Sequence, residues 1–115
     1  MSDAPVLSPM NHITDPDNAS DFEKKHTPYL TAETVGDKMR ITVKVGHYFD
    51  HPNQPDHFIQ WIDVLADGNS IARFDLAAVA ADPEVSVVAA LEKGMTVRAV
   101  ESCNLHGLWA AEITV

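Results

Sequence analysis

From His26 onward the chain is a succession of short apolar runs, each cut off by turn residues before it can lengthen into a helix. Met39-Arg40-Ile41-Thr42-Val43-Lys44-Val45 alternates apolar and polar residues, the period-two pattern of a strand with one buried face. Phe58 to Leu65 is more continuously apolar and reads as a central strand ending at the Asp67-Gly68-Asn69 turn, with Ser70 to Leu76 as its hairpin partner. The alanine-rich stretch from Leu76 to Asp82 predicts a helical turn stopped by Pro83. Val85 to Leu91 is valine-rich and favours a strand, and Glu92-Lys93-Gly94 is a turn. Met95 to Glu101 alternates again, and Leu108 to Val115 closes the chain. With a strand near Pro28 to Thr34, this predicts an all-β fold, an antiparallel sandwich of about seven strands.

The 115 residues are enough for one domain with a real core. A single cysteine rules out an internal disulfide. Residues 1 to 21 are rich in Pro, Asp, Asn and Ser without periodicity, so we expect an extended N-terminal arm there and the folded domain over residues 22–115. Eight basic against 17 acidic residues give a net charge of -9, which disfavours nucleic acid and anionic membranes as partners. Met1-Ser2-Asp3-Ala4-Pro5 has neither the basic nor the apolar part of a signal peptide, and no apolar stretch approaches membrane-spanning length. A soluble, cytoplasmic location is therefore expected.

The chemistry lies at the predicted strand ends. Cys103-Asn104-Leu105-His106-Gly107 sets a thiol and an imidazole three residues apart on a turn. His51 and His57 flank a loop stiffened by Pro52 and Pro55, and His26 precedes Thr27-Pro28. Taken singly, each has a structural reading, since free cysteines are commonly buried and histidines commonly hydrogen-bonded. If the five converge, they make a nitrogen-rich metal site with one thiolate, which suits redox-active iron better than structural zinc. The Lys24-Lys25 pair beside His26 is the densest basic spot in an acidic chain.

His51-Pro52-Asn53-x-x-x-His57, the following Ile59-x-Trp61-Ile62, and Cys103-Asn104-Leu105-His106-Gly107-Leu108-Trp109 together resemble the superoxide reductases, the desulfoferrodoxin and neelaredoxin family. The resemblance covers roughly residues 23–115 and includes Lys25-His26-Thr27-Pro28 and Lys44-Val45-Gly46. It implies an immunoglobulin-like β-sandwich and a mononuclear iron with His26, His51, His57 and His106 as equatorial ligands and Cys103 as the axial thiolate. One axial position would stay open for superoxide, reduced by one electron to hydrogen peroxide. An N-terminal rubredoxin-like iron domain would need four more cysteines, so the resemblance is to the single-iron forms. His12 and His47 have no counterpart among the ligands.

In that family a Glu-Lys pair precedes the first histidine ligand. Here the order is Glu23-Lys24-Lys25-His26, so Lys25 matches the lysine and Glu23 stands one residue further away than the glutamate it would replace. Lys25 is the candidate for attracting superoxide and relaying a proton. Glu23, water, hydroxide or a small anion are candidates for the sixth position of the oxidised site. The resemblance further implies an external electron donor such as rubredoxin and a homo-oligomer, dimer or tetramer. The alternative function is an iron-binding electron-transfer module without efficient superoxide turnover. Trp61 and Trp109 are expected in the core or the wall of the site, and Asn104 beside the ligands.

Overall fold

In this computed structural model, which describes residues 10–13 and 15–115, seven strands pair into two antiparallel sheets. In chain order they are β1 (Pro28–Val35), β2 (Lys38–Val45), β3 (Ile59–Ala66), β4 (Asn69–Asp75), β5 (Glu84–Ala89), β6 (Thr96–Cys103) and β7 (Gly107–Thr114). One sheet has the order β1-β2-β5 and the other β4-β3-β6-β7. The seven-stranded antiparallel sandwich expected from the alternation is the observed architecture.

Alternation also decides what fills the space between the sheets. Ile41 and Val43 on β2, Ile62 and Val64 on β3, and Val97 and Ala99 on β6 are all fully buried. Each is worth roughly 1.5–3 kcal/mol over exposure for the larger side chains. The inward face of β6 continues past Ala99 through Glu101 to Cys103, because residues two apart share a face. A bulge between Ile59 and Trp61 lets Ile59 turn inward as well, while Trp61 is only half-buried and carries the Arg73 guanidinium 4.2 Å from its ring centre. Trp61 is thus a partner of Arg73 and not part of the site wall.

The topology gathers three connections at one end of the sandwich. Register pairs Pro28 with Val45 and Lys44 with Glu84 in one sheet, and Trp61 with Asp75 and Cys103 with Gly107 in the other. The start of β1, the 46–58 loop, the 76–83 crossover and the 104–106 turn therefore lie together. Gly46 opens the 46–58 loop at φ +92°, and a Cβ there would stand 2.9 Å from the His51 amide nitrogen. Only glycine allows the loop to fold back so closely.

One local expectation is corrected. Residues 1–9 and 14 of the expected arm lie outside the described residues, and the described part is not simply extended. Asn11 pairs with β7 through Asn11 N to Leu108 O (2.8 Å) and Ala110 N to Asn11 O (2.9 Å). A 3-10 turn follows over Pro16–Asn18, and then a helix, α1 (Asp21–His26), which crosses the boundary placed at residue 21. Its start is a capping box, Ser20 with Glu23, a signal present in the sequence but too short to show helical periodicity. The Leu76 to Asp82 stretch holds the expected helical turn, a single one closed by Ala81 N to Ala77 O at 3.1 Å, before the chain reaches the other sheet past Pro83.

Gly36 also has a positive φ, +62°, but open space around it. Gly36→Ala should cost about 1–2 kcal/mol, the left-handed strain alone. Gly46→Ala should cost clearly more, because strain and collision add. Urea unfolding of the metal-free protein measures both; equal midpoints would contradict this account.

Candidate metal centre

Each donor is delivered by a different connection. His26 is the last residue of α1 and fully buried; its Nδ1 lies 2.6 Å from the Phe22 carbonyl. A carbonyl only accepts, so Nδ1 carries the proton and Nε2 is left with a bare lone pair. The same logic applies to His51, whose Nδ1 donates to the Pro52 carbonyl at 2.6 Å. The bare His51 Nε2 stands 3.5 Å from Cys103 Sγ, and His106 Nδ1 stands 3.8 Å from that sulfur. Among the described residues, His26 Nε2 and His57 Nε2 are buried and without a hydrogen-bond partner.

The four imidazoles form a closed ring. Centroids are 4.8 Å apart for His26–His51, 4.8 Å for His51–His57, 5.0 Å for His57–His106 and 5.0 Å for His106–His26. The diagonal from His26 to His57 is 6.4 Å. Neighbouring rings are steeply inclined, between 70° and 82°, like the blades of a propeller. Nitrogen or sulfur atoms of His26, His57, Cys103 and His106 all lie within 4.8 Å of one another. Donors sharing one ion lie at most about 4.4 Å apart, because metal–nitrogen and metal–sulfur bonds run near 2.1 and 2.3 Å, so closing on an ion asks only a small inward movement of these side chains. The orphaned, desolvated lone pairs fit a cation; a proton is poorly tolerated there.

Protonation is opposed on several sides. Burial lowers His26 to about 3, with repulsion from His51, His106 and His57 adding to it. Burial likewise lowers His51 to about 4, helped by His57 and Lys25. His57 and His106 are lowered by burial and then by their neighbours, Lys25 among them. Burial pushes the Cys103 thiol up, while the backbone amides of Leu105 and His106 act the other way by hydrogen-bonding the sulfur. Glu101, fully buried two residues before Cys103, has no side-chain partner among the described residues. Burial pushes its carboxyl well above the usual range, with the Cys103 backbone amide acting the other way.

Supporting groups fix these positions. Asn104 accepts from Phe58 N at 2.9 Å and donates to Asp56 O at 2.9 Å, tying the cysteine turn to the chain on either side of His57. The Trp109 ring stacks on His26 at 5.0 Å and 18°, and its Nε1 donates to His106 O at 3.2 Å. Phe22 packs against both His26 and His106 at 4.7 Å. Lys25 Nζ lies 5.8 Å from the centre of the exposed Phe49 ring.

The structure thus brings together His26, His51, His57, Cys103 and His106, with Lys25 electrostatically beside them. It does not bring Glu23: that carboxylate accepts from Ser20 N and Ser20 Oγ, both at 3.0 Å, at the opposite end of α1. His47 stacks on Tyr29 at 3.6 Å, and His12 lines a separate cleft of about 340 Å³ with Tyr48 and Arg98. Phe22 carried no signal in the sequence beyond its place in the capping-box helix, and Asn53 stood there only as part of the His51-Pro52-Asn53 motif.

Comparison with known proteins agrees with this geometry. Residues 18–112 match the desulfoferrodoxin family. The chain belongs to that family. Among its relatives, the superoxide reductase of Thermococcus kodakarensis is 30% identical over 101 residues, covering 80% of this chain and 88% of that protein. The desulfoferrodoxin of Nitratidesulfovibrio vulgaris is 37% identical over 90 residues, covering 78% of this chain and 64% of that protein. The solved superoxide reductase from Nanoarchaeum equitans superposes with a TM-score of 0.78 at 31% identity, over 92% of this chain and 99% of that one.

A pH dependence follows. The unfolded chain protonates its histidines near 6.5, while folded His26 and His51 resist protonation down to about 3 and 4. Below pH 6.5 the unfolded state therefore binds more protons, so stability is full above that value and falls as pH drops toward 3. Urea midpoints of the metal-free protein should decline between about pH 7 and pH 4, and His51→Gln should flatten the decline. A wild-type profile that is level over this range would contradict the assignment.

Proposed function

We propose that this chain is a superoxide reductase, an enzyme that reduces superoxide by one electron to hydrogen peroxide at a single iron. The observation that carries the reading is the ring of four imidazoles, with the buried and unpartnered Nε2 atoms of His26 and His57, beside one thiol. His26, His51, His57 and His106 would hold the ion through nitrogen and Cys103 through sulfur. Five donors exceed the four of a closed structural zinc site and mix imidazole with thiolate, a set suited to redox-active iron. Bound there, iron supplies the electron that, with two protons, converts superoxide to hydrogen peroxide.

The chain's own residues set the conditions. Lys25 places a positive charge beside the histidine ring, close enough to depress three of its members, and so draws a small anion to this face. Its ammonium is also the candidate to pass a proton through water. The Leu105 and His106 amides favour the thiolate form of Cys103 and temper how strongly its sulfur donates. Trp109 and Phe22 wall His26 off from water on the inner side. Each turnover consumes one electron, which an external donor must replace; a small redox protein such as rubredoxin fits that role. Glu23 belongs to the helix cap in this reading. To enter the site it would have to break both bonds to Ser20 and unwind the first turn of α1.

Anaerobic iron loading followed by chemical oxidation tests the ligand set. The wild type should show a visible thiolate-to-iron charge-transfer band, absent in Cys103→Ser, and Glu23→Ala should leave the band and its pH dependence unchanged. A wild type holding one iron per chain but no such band would remove Cys103 from the ligands. Rapid mixing of the reduced protein with superoxide tests the activity. Near diffusion-limited consumption, slowed about tenfold by Lys25→Ala and less sensitive to salt in that variant, is expected. Slow consumption by the wild type would instead favour an electron-transfer module.

A further inference from the structure

The 76–83 crossover contains a local conformation that packing does not explain. Val79 has φ +68°, a left-handed backbone that is a genuine outlier for a β-branched residue. The bond from Ala80 N to Ala78 O at 2.7 Å closes a γ-turn around it, and the positive φ gives that turn its rare, strained hand. Val79 is 55% exposed, so no burial of its own holds it there. What holds it is Asn53. The Asn53 carboxamide accepts from Val79 N at 2.7 Å and donates to Ala81 O at 3.2 Å and to Val79 O at 3.4 Å. One side chain thus serves three backbone groups of a turn 26 to 28 residues away.

Asn53 lies between His51 and His57. Its neighbour Pro52 supplies the carbonyl that takes the His51 Nδ1 proton and leaves Nε2 bare toward Cys103. The far side of the same loop is secured separately, by Gln54 paired with His57 and by Asn104. The His51 side has no comparable side-chain anchor among the described hydrogen bonds except Asn53.

We propose that the strained 77–81 turn is a brace for the histidine loop, with Asn53 as the positioning residue that fixes His51. The chain of action runs from the turn to the Asn53 amide, to the Pro52 carbonyl, to the orientation of His51. Strained conformations persist where surrounding structure over-determines them, and they gather at functional sites. Groups that orient a metal ligand through its second nitrogen typically alter metal affinity 10- to 100-fold when removed. The inference rests on the metal reading above.

The test uses the full chain and cobalt(II), bound anaerobically and measured by competition with a chelator, together with amide hydrogen exchange of the metal-free protein. Asn53→Ala should weaken cobalt binding about tenfold or more and speed exchange across residues 51–57. Val79→Gly, which accepts the same φ without strain and keeps the N–H, should bind cobalt as the wild type does. His51→Ala is the reference. If His51→Ala weakens binding and Asn53→Ala does not, Asn53 is only a turn residue and the brace is refuted. If His51→Ala leaves affinity unchanged, the metal reading itself falls and takes this inference with it. Should Asn53→Ala fail to fold by circular dichroism, Asn53→Asp, which keeps the acceptor for Val79 and loses the amide donor, is judged by the same criterion.

Discussion

Four imidazoles and a thiol are held within one small volume while two of their nitrogens, His26 Nε2 and His57 Nε2, remain buried and unpartnered, and much of the molecule is organised around tolerating that. Desolvated lone pairs forgo hydrogen bonds to water, and mutual repulsion blocks the obvious remedy of protonation. The arrangement is therefore unfavourable by itself and favourable for a cation. A scaffold that presents it must hold the side chains together against their own tendency to separate. Cation binding then gains what the scaffold has already spent in ordering them.

The scaffold does this by dividing the task among elements anchored in the sandwich. β6 and β7 are paired over their full length up to Cys103 and Gly107, so the sulfur sits at the end of a rigid ladder. His26 is fixed by the Phe22 carbonyl on one side and the Trp109 face on another. The 46–58 loop has no regular structure, and it is pinned at points: Gly46 at its entrance, Asn53 on the crossover and Asn104 on the cysteine turn. Rigid positions come from strands, and mobile ones are made rigid by side-chain amides. Second nitrogens tied to main-chain carbonyls add a further device, since they settle tautomer and direction together.

The sequence made the strands readable because alternation is a local property. Met39 to Val45 and Met95 to Glu101 announce their buried faces without reference to anything distant. The five candidate donors could be grouped from the sequence because each flanks a predicted strand end and because their two motifs resemble those of the superoxide reductases, and an antiparallel sandwich brings such ends together. What was not readable depends on contacts between distant segments. Nothing near Val79 indicates a positive φ; the reason lies at Asn53, 26 residues earlier. The bulge at Ile59 and Trp61 arises from competition between β3's partners and sends Trp61 to Arg73. Glu23 shows the converse: the capping box that engages its carboxylate is a local pattern, legible in Ser20-Asp21-Phe22-Glu23.

Charge is where local and global arguments diverge most. A net charge of -9 suggests a protein that repels anions, yet the site is read as receiving one. The two agree once distance is considered. At physiological ionic strength fields decay over about 8 Å, so carboxylates scattered over the remote faces of the sandwich contribute little at the histidine ring. Lys25 acts within that range on His51, His57 and His106, and Asp56 opposes it only at His57. The potential an approaching anion meets is thus set by a few groups near the site, and the acidic remainder serves chiefly solubility.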